Sequence, residues 1–196
     1  MRLLKFFLAL LLFKVSSSLH CNSLASNQNK VNKDGLDFLD KMRRNLSPQC
    51  LSERLDLKTK DIFKIELSQK DNAKAAIQEL LKAIFYVLSN NLTQTTWQES
   101  STEKFKNGLH WQIENLETCL DAEREKGERS PGKYNPLVTR LKLKRYFQAI
   151  DNFLKEKQYS QCAWEIISVE LSRCFQFIDK LTKKLSTSTN VMKTSE

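Results

Sequence analysis

Apolar residues recur at three- and four-residue intervals in five stretches of this chain, the pattern of helices that each bury one face. The first covers about 22–44 and turns Leu24, Val31, Leu39, Met42 and Leu46 to one side, with Gly35 weakening it. The second, about 72–90, aligns Ile77, Leu80, Leu81, Ile84 and Leu88 behind an N-cap at Asp71. A Thr96–Glu99 capping box opens the third, which carries Phe105, Leu109, Ile113, Leu116 and Leu120. The fourth takes Asn135 as cap and Pro136 as its first helical residue; its stripe is Leu143, Tyr146, Phe147, Ile150, Phe153 and Leu154.

The fifth stretch runs from about Ser160 to Leu185. With Ile167 at the centre of its buried face, a step of about 100° per residue keeps Ala163, Leu171, Cys174, Ile178, Leu181 and Leu185 on that side. Trp164 flanks the stripe and can pack sideways. Glu165, Ser168, Val169, Ser172, Arg173 and Gln176 fall on the outer side, and Glu170 lies on a different side from Glu165.

The connections carry the topology. "SPQCLSERLDLKTKDIFKIELSQKD" separates the first two helices without clear periodicity, and a loop of that length is usually functional. Extended, it reaches roughly 80 Å, far more than one helix length. "REKGERSPGKYNP", between the third and fourth helices, is also long enough to run back beside a bundle. Two long crossovers predict an up-up-down-down, long-chain bundle of the cytokine kind, all-α with five helices. Only four glycines and three prolines in 196 residues agree with that class.

Residues 1–18 read as a signal peptide, with Arg2 and Lys5, a short apolar run from Phe6 to Phe13, and Ser16 and Ser18 at a cleavage site near 18–20. The run is too short to span a membrane, so a secreted chain with no membrane span is expected. Residues 19–185 form one domain, and 186–196 read as a flexible polar tail. The net charge is +9, three of it within the first 18 residues. Such basicity suits acidic receptors or weak binding to sulfated glycans such as heparan sulfate. Nucleic acid is excluded by the lack of any finger, Gly-rich loop or aromatic-studded basic motif. Sequons at Asn45 and Asn91 predict N-glycosylation.

Five cysteines in a secreted chain predict two disulfides and one free thiol. Cys162 and Cys174 are about 18 Å apart along one helix and cannot bond to each other. Cys174 falls on the core stripe and is the expected free thiol. Cys21 and Cys50 flank the first helix, roughly 30 Å apart, which disfavours that pair. Geometry leaves the other two schemes open. No catalytic or metal-binding constellation is present. His20 lies at the processing junction, His110 stands alone, and no nucleophile elbow, Cys/His metal spacing or phosphate loop occurs. An enzyme is not expected, nor a cofactor.

"YFQAIDNFLKEKQYSQCAWEIISVELSRC" resembles the C-terminal signature of type I interferons, with Tyr159, Cys162, Ala163, Trp164, Glu165 and Glu170 in register. The resemblance extends to Cys21, "CLSERLDL", "IFYVLSNNLTQTTWQESSTEKF" and Cys119, nearly the whole mature chain. "RYFQAIDNFLKEK" is similar to kappa members and "TEKF" to epsilon members. It implies a five-helix bundle with Cys21–Cys119 and Cys50–Cys162 bridges. The implied activity is to bridge the two chains of the interferon alpha/beta receptor and start Janus-kinase–STAT signalling. It implies contacts to the second receptor chain from Leu51, Arg54, Ser168, Val169, Ser172 and Arg173, with Arg54 facing solvent in the free protein. Ser168 and Ser172 are smaller than the residues alpha members carry there. For the first receptor chain it implies Phe85 and Lys144, the latter where many members have arginine. Tyr86, which points outward, joins that set, and outward-pointing Trp111 is a further departure.

Overall fold

The computed structural model describes residues 21, 23–43, 48–59, 62–63, 70–90, 99–125 and 136–191. The signal-peptide segment 1–18 and the sequons at Asn45 and Asn91 lie outside them, as do Leu46 and the Met42 side chain. Five long helices appear where the periodicity places them: α1 (Leu24–Arg43), α3 (Lys70–Asn90), α4 (Glu99–Glu125), α5 (Pro136–Glu156) and α6 (Gln161–Val191). Between α1 and α3 a short helix α2 (Pro48–Glu53) runs into a 3-10 turn, Arg54–Asp56. Three boundaries differ from expectation. Lys70 already belongs to α3, so Asp71 lies inside the helix rather than capping it. The crossover expected to be irregular contains α2, and α6 continues to Val191, past Leu185.

Pairwise contacts set the helix directions. Cys21 meets Cys119 and Phe38 meets Phe105, so residue numbers fall along α4 as they rise along α1. The Lys74–Glu123 and Lys82–Glu117 pairs give the same antiparallel relation between α3 and α4. Helices α1 and α3 therefore run the same way, with α4 opposed. The Cys50–Cys162 bridge joins the chain just after α1 to the start of α6, so α6 runs opposite to α1. This is the up-up-down-down order, with α5 folded back antiparallel to α6 through the turn at Lys157–Ser160.

Helix α6 is the hub. It packs against α1, α2, α3 and α5, and its side chains Ala163, Ile167, Leu171, Cys174, Phe175 and Ile178 are wholly buried. Burial of that order on one helix is the main source of its stability, because helix propensity alone is marginal in water. Gly35 of α1 makes the α1–α6 approach possible. A β-carbon there would sit 2.9 Å from Cε1 and Cζ of Phe175 and 3.0 Å from Cε2 of Phe105. The residue that weakens α1 as an isolated helix lets it pack closely against its neighbours.

The α5–α6 turn fixes where α6 begins. The Tyr159 amide donates to the Leu154 carbonyl (2.8 Å) and the Gln158 amide to Lys155 (3.0 Å). Gln158 and Tyr159 accept left-handed backbone, φ 50° and 55°, to close this turn without a glycine. Ser160 then caps α6, its Oγ accepting from the Ala163 amide at 3.2 Å.

Candidate functional site

The short helix α2 and its 3-10 turn lie against α6, held at three points. Cys50 is bonded to Cys162. Lys157, in the α5–α6 turn, donates to Asp56 at 2.7 Å and lies 3.7 Å from Glu53. Arg54 Nη2 reaches Oε1 of Glu170, at 3.6 Å, from the turn side.

Glu170 is the centre of this region. It is only 2% exposed, and a buried carboxylate is tolerated only when its oxygens are paired. Tyr146 Oη, from α5, donates to Oε2 at 2.8 Å. Arg173 Nη1, one helical turn along α6, lies 3.0 and 3.2 Å from the two oxygens. The Arg173 guanidinium also stacks over the Phe63 ring, 4.7 Å from its centre. Phe63 in turn meets Tyr146 and Phe177 edge-on, with ring centres 5.9 and 5.7 Å apart. Burial, with the nearby Cys174 and Glu170, pushes the Tyr146 phenol far above its ordinary range, so it remains a donor. Burial likewise pushes the Cys174 thiol up to about 12. That thiol is free, buried and unreactive at neutral pH.

Two arginines share one carboxylate, so the Arg54–Glu170–Arg173 cluster itself carries one net positive charge, with Lys157, Glu53 and Asp56 at its edge. Arg54 faces solvent, as expected, with 46% of its side chain exposed while one nitrogen reaches Glu170. Next to it, Leu55 is 86% exposed, an apolar side chain with no core contact. Arg54, Leu55, Val169 and Arg173 thus offer a cationic and apolar surface on a braced frame. Such a composition suits an acidic, partly apolar protein surface.

Several expectations need correction. Ser168 and Ser172 are buried, not outward, and each hydroxyl bonds back to its own helix: Ser168 to the Glu165 carbonyl (2.7 Å), Ser172 to the Ser168 carbonyl (2.9 Å). They cannot act as surface contacts in this conformation. Glu165, also expected outside, is buried and accepts from Gln161 Nε2 at 3.1 Å. Trp164, beside the stripe, is fully enclosed. Val169 and Arg173 are half-buried and Gln176 is exposed. Leu51 lies in α2, its side chain outside the described residues. Tyr86 is exposed on α3, Trp111 on α4 and Lys144 on α5. Phe85 is half-buried against the core, its ring 5.9 Å from that of His110. Arg140 and Glu79, 2.6 Å apart, link α5 to α3. Sequence reasoning missed the Glu170 network and Leu55.

Among the described residues no group of three or more His, Cys, Asp or Glu could hold a metal ion. No described helix is long and apolar enough to cross a membrane.

The interferon alpha/beta domain family matches residues 24–185. The chain belongs to the interferon alpha/beta family. It is 36% identical over 170 residues to interferon epsilon of Homo sapiens, covering 86% of this chain and 80% of that protein. It is 33% identical over 180 residues to interferon tau of Cervus elaphus, covering 91% and 90%. Among solved structures, zebrafish interferon 2 superposes with a TM-score of 0.56 at 20% identity, covering 76% of this chain and 96% of that one; this likeness bears on the fold. Family membership makes this interferon chain a cytokine rather than an enzyme.

Proposed function

We propose that this chain is a secreted interferon that bridges the two chains of the interferon alpha/beta receptor and triggers Janus-kinase–STAT signalling, with an antiviral and immunomodulatory outcome. The observation that carries the proposal is the Arg54–Glu170–Arg173 cluster, a braced cationic surface built from two elements distant in sequence. In this reading Arg54, Leu55, Val169, Arg173 and Leu51 meet the second receptor chain. Tyr86, Lys144 and the exposed part of Phe85 meet the first. Glycans at Asn45 and Asn91 accompany secretion. Ser168 and Ser172 drop out because they are buried.

The test is a reporter for interferon-stimulated genes in cells carrying matched receptor chains, with the same cells lacking the second chain as control. Purified protein should induce the reporter in the first line alone. A silent reporter in both lines, the result expected of a heparan-sulfate or lipid binder, overturns the proposal.

A further inference from the structure

We propose that Glu170 is a positioning residue: a buried carboxylate that holds Arg54 and Arg173 in the orientation the second receptor chain meets, without itself touching that chain. The inference rests on the receptor reading above and adds the means by which the surface is prepared. Glu170 is too buried to reach a docked protein. Its partners come from three elements: Tyr146 of α5 and Arg173 of α6 donate hydrogen bonds, and Arg54 of the turn after α2 pairs with it by charge. An unconstrained arginine side chain samples many rotamers. Ordering both arginines on docking opposes binding, and ordering them beforehand removes part of that cost.

The surroundings favour this role over simple charge burial. Phe63 lies beneath the Arg173 guanidinium and is itself packed edge-on by Tyr146 and Phe177. Without Glu170, the two guanidiniums would lose the counter-ion they share. With it, they share a counter-ion, and the three-residue cluster keeps one net positive charge for an acidic group of a partner. The Tyr146 hydroxyl fixes the carboxylate from behind and thereby sets where both arginines point.

Glu170→Gln keeps the volume and removes the charge. It should weaken binding of the isolated second receptor chain on the order of tenfold, the scale of one charge-assisted hydrogen bond. A generally loosened fold would weaken binding in any background, whereas a positioning residue acts through the arginines. In an Arg54→Ala background the Glu170→Gln penalty should therefore shrink to about threefold or less, by the coupling a double-mutant cycle measures. A penalty still tenfold there overturns the proposal, as does an unchanged Kd for Glu170→Gln in the parent. Tyr146→Phe, which removes one hydroxyl, gives a second reading if Glu170→Gln unfolds: about threefold weaker binding is expected, and an unchanged Kd overturns it. If Arg54→Ala alone leaves Kd unchanged, the receptor reading fails and the positioning role with it. If Arg54→Ala weakens binding while Glu170→Gln does not, the positioning role alone fails.

Discussion

Replacing Cys50 and Cys162 together by serine is expected to cost about 2–5 kcal/mol of stability and most of the signalling activity. The bridge closes a sequence separation of 112 residues, and cross-linking distant positions removes much freedom from the unfolded chain. The Cys21–Cys119 bridge interleaves with it, so the shortest covalent path between Cys50 and Cys162 already runs back through that bond. Closure cost grows only with the logarithm of length, which trims the effect modestly. The larger consequence is functional. After the bridge is lost, Lys157 and the Arg54–Glu170 pair still tie the α2 segment down, but by ion pairs with at least one partner exposed rather than by a covalent bond. Chemical denaturation against the parent, with the reporter assay run well below the unfolding midpoint, measures both effects. Equal midpoints would show that the bridge is dispensable. Full activity in the serine variant would show that the segment docks without it.

A second large effect is expected at the centre of α6. Ile167→Ala should cost roughly 2–5 kcal/mol, and Ile178→Ala a similar amount, because both side chains are wholly enclosed and the helix is packed on several sides. A cavity there cannot collapse without moving more than one neighbour. For a chain of this length each kcal/mol lowers the melting temperature by roughly 2–4 °C. Gln176, exposed on the same helix, should change stability by less than about 0.5 kcal/mol when replaced by alanine. Melts of the three variants check this. Equal losses at all three positions would mean the helix is turned differently.

The long elements are legible because their burial is periodic. Leu80, Ile84 and Leu88, or Leu143, Ile150 and Leu154, each recur at helical spacing and each is buried. The six residues of α2 are too few to show a period, and their position depends on Cys162, Lys157 and Glu170, all distant in sequence. The error over Ser168 and Ser172 has a different cause. A helical wheel assumes one buried face, while α6 is surrounded by four other elements. Serine permits this because its hydroxyl can bond to a carbonyl of its own helix and needs no outside partner. Glu170 was in view as a sequence position. Its role was not, since a wheel records direction and nothing about the arginine arriving from another segment. Leu55 left no periodic signal, but an apolar residue beside Arg54 in a tethered loop is one that could have been singled out.

The central claim is that the face around Arg54 docks the second receptor chain. Surface plasmon resonance of the Arg54→Ala variant on the isolated ectodomain of that chain tests it most directly. Arginine offers five donors and an apolar stem, so its loss should weaken binding by at least about 2 kcal/mol, or roughly 30-fold. Arg54→Lys should recover only part, because the planar fork is lost. Glu170 keeps Tyr146 and Arg173 after the change, so the melting temperature should fall by no more than about 2–4 °C. An unchanged dissociation constant would remove Arg54 from the interface. A melting temperature lowered far beyond that range, with affinity lost only in proportion to folded protein, would make Arg54 a structural residue and contradict the account.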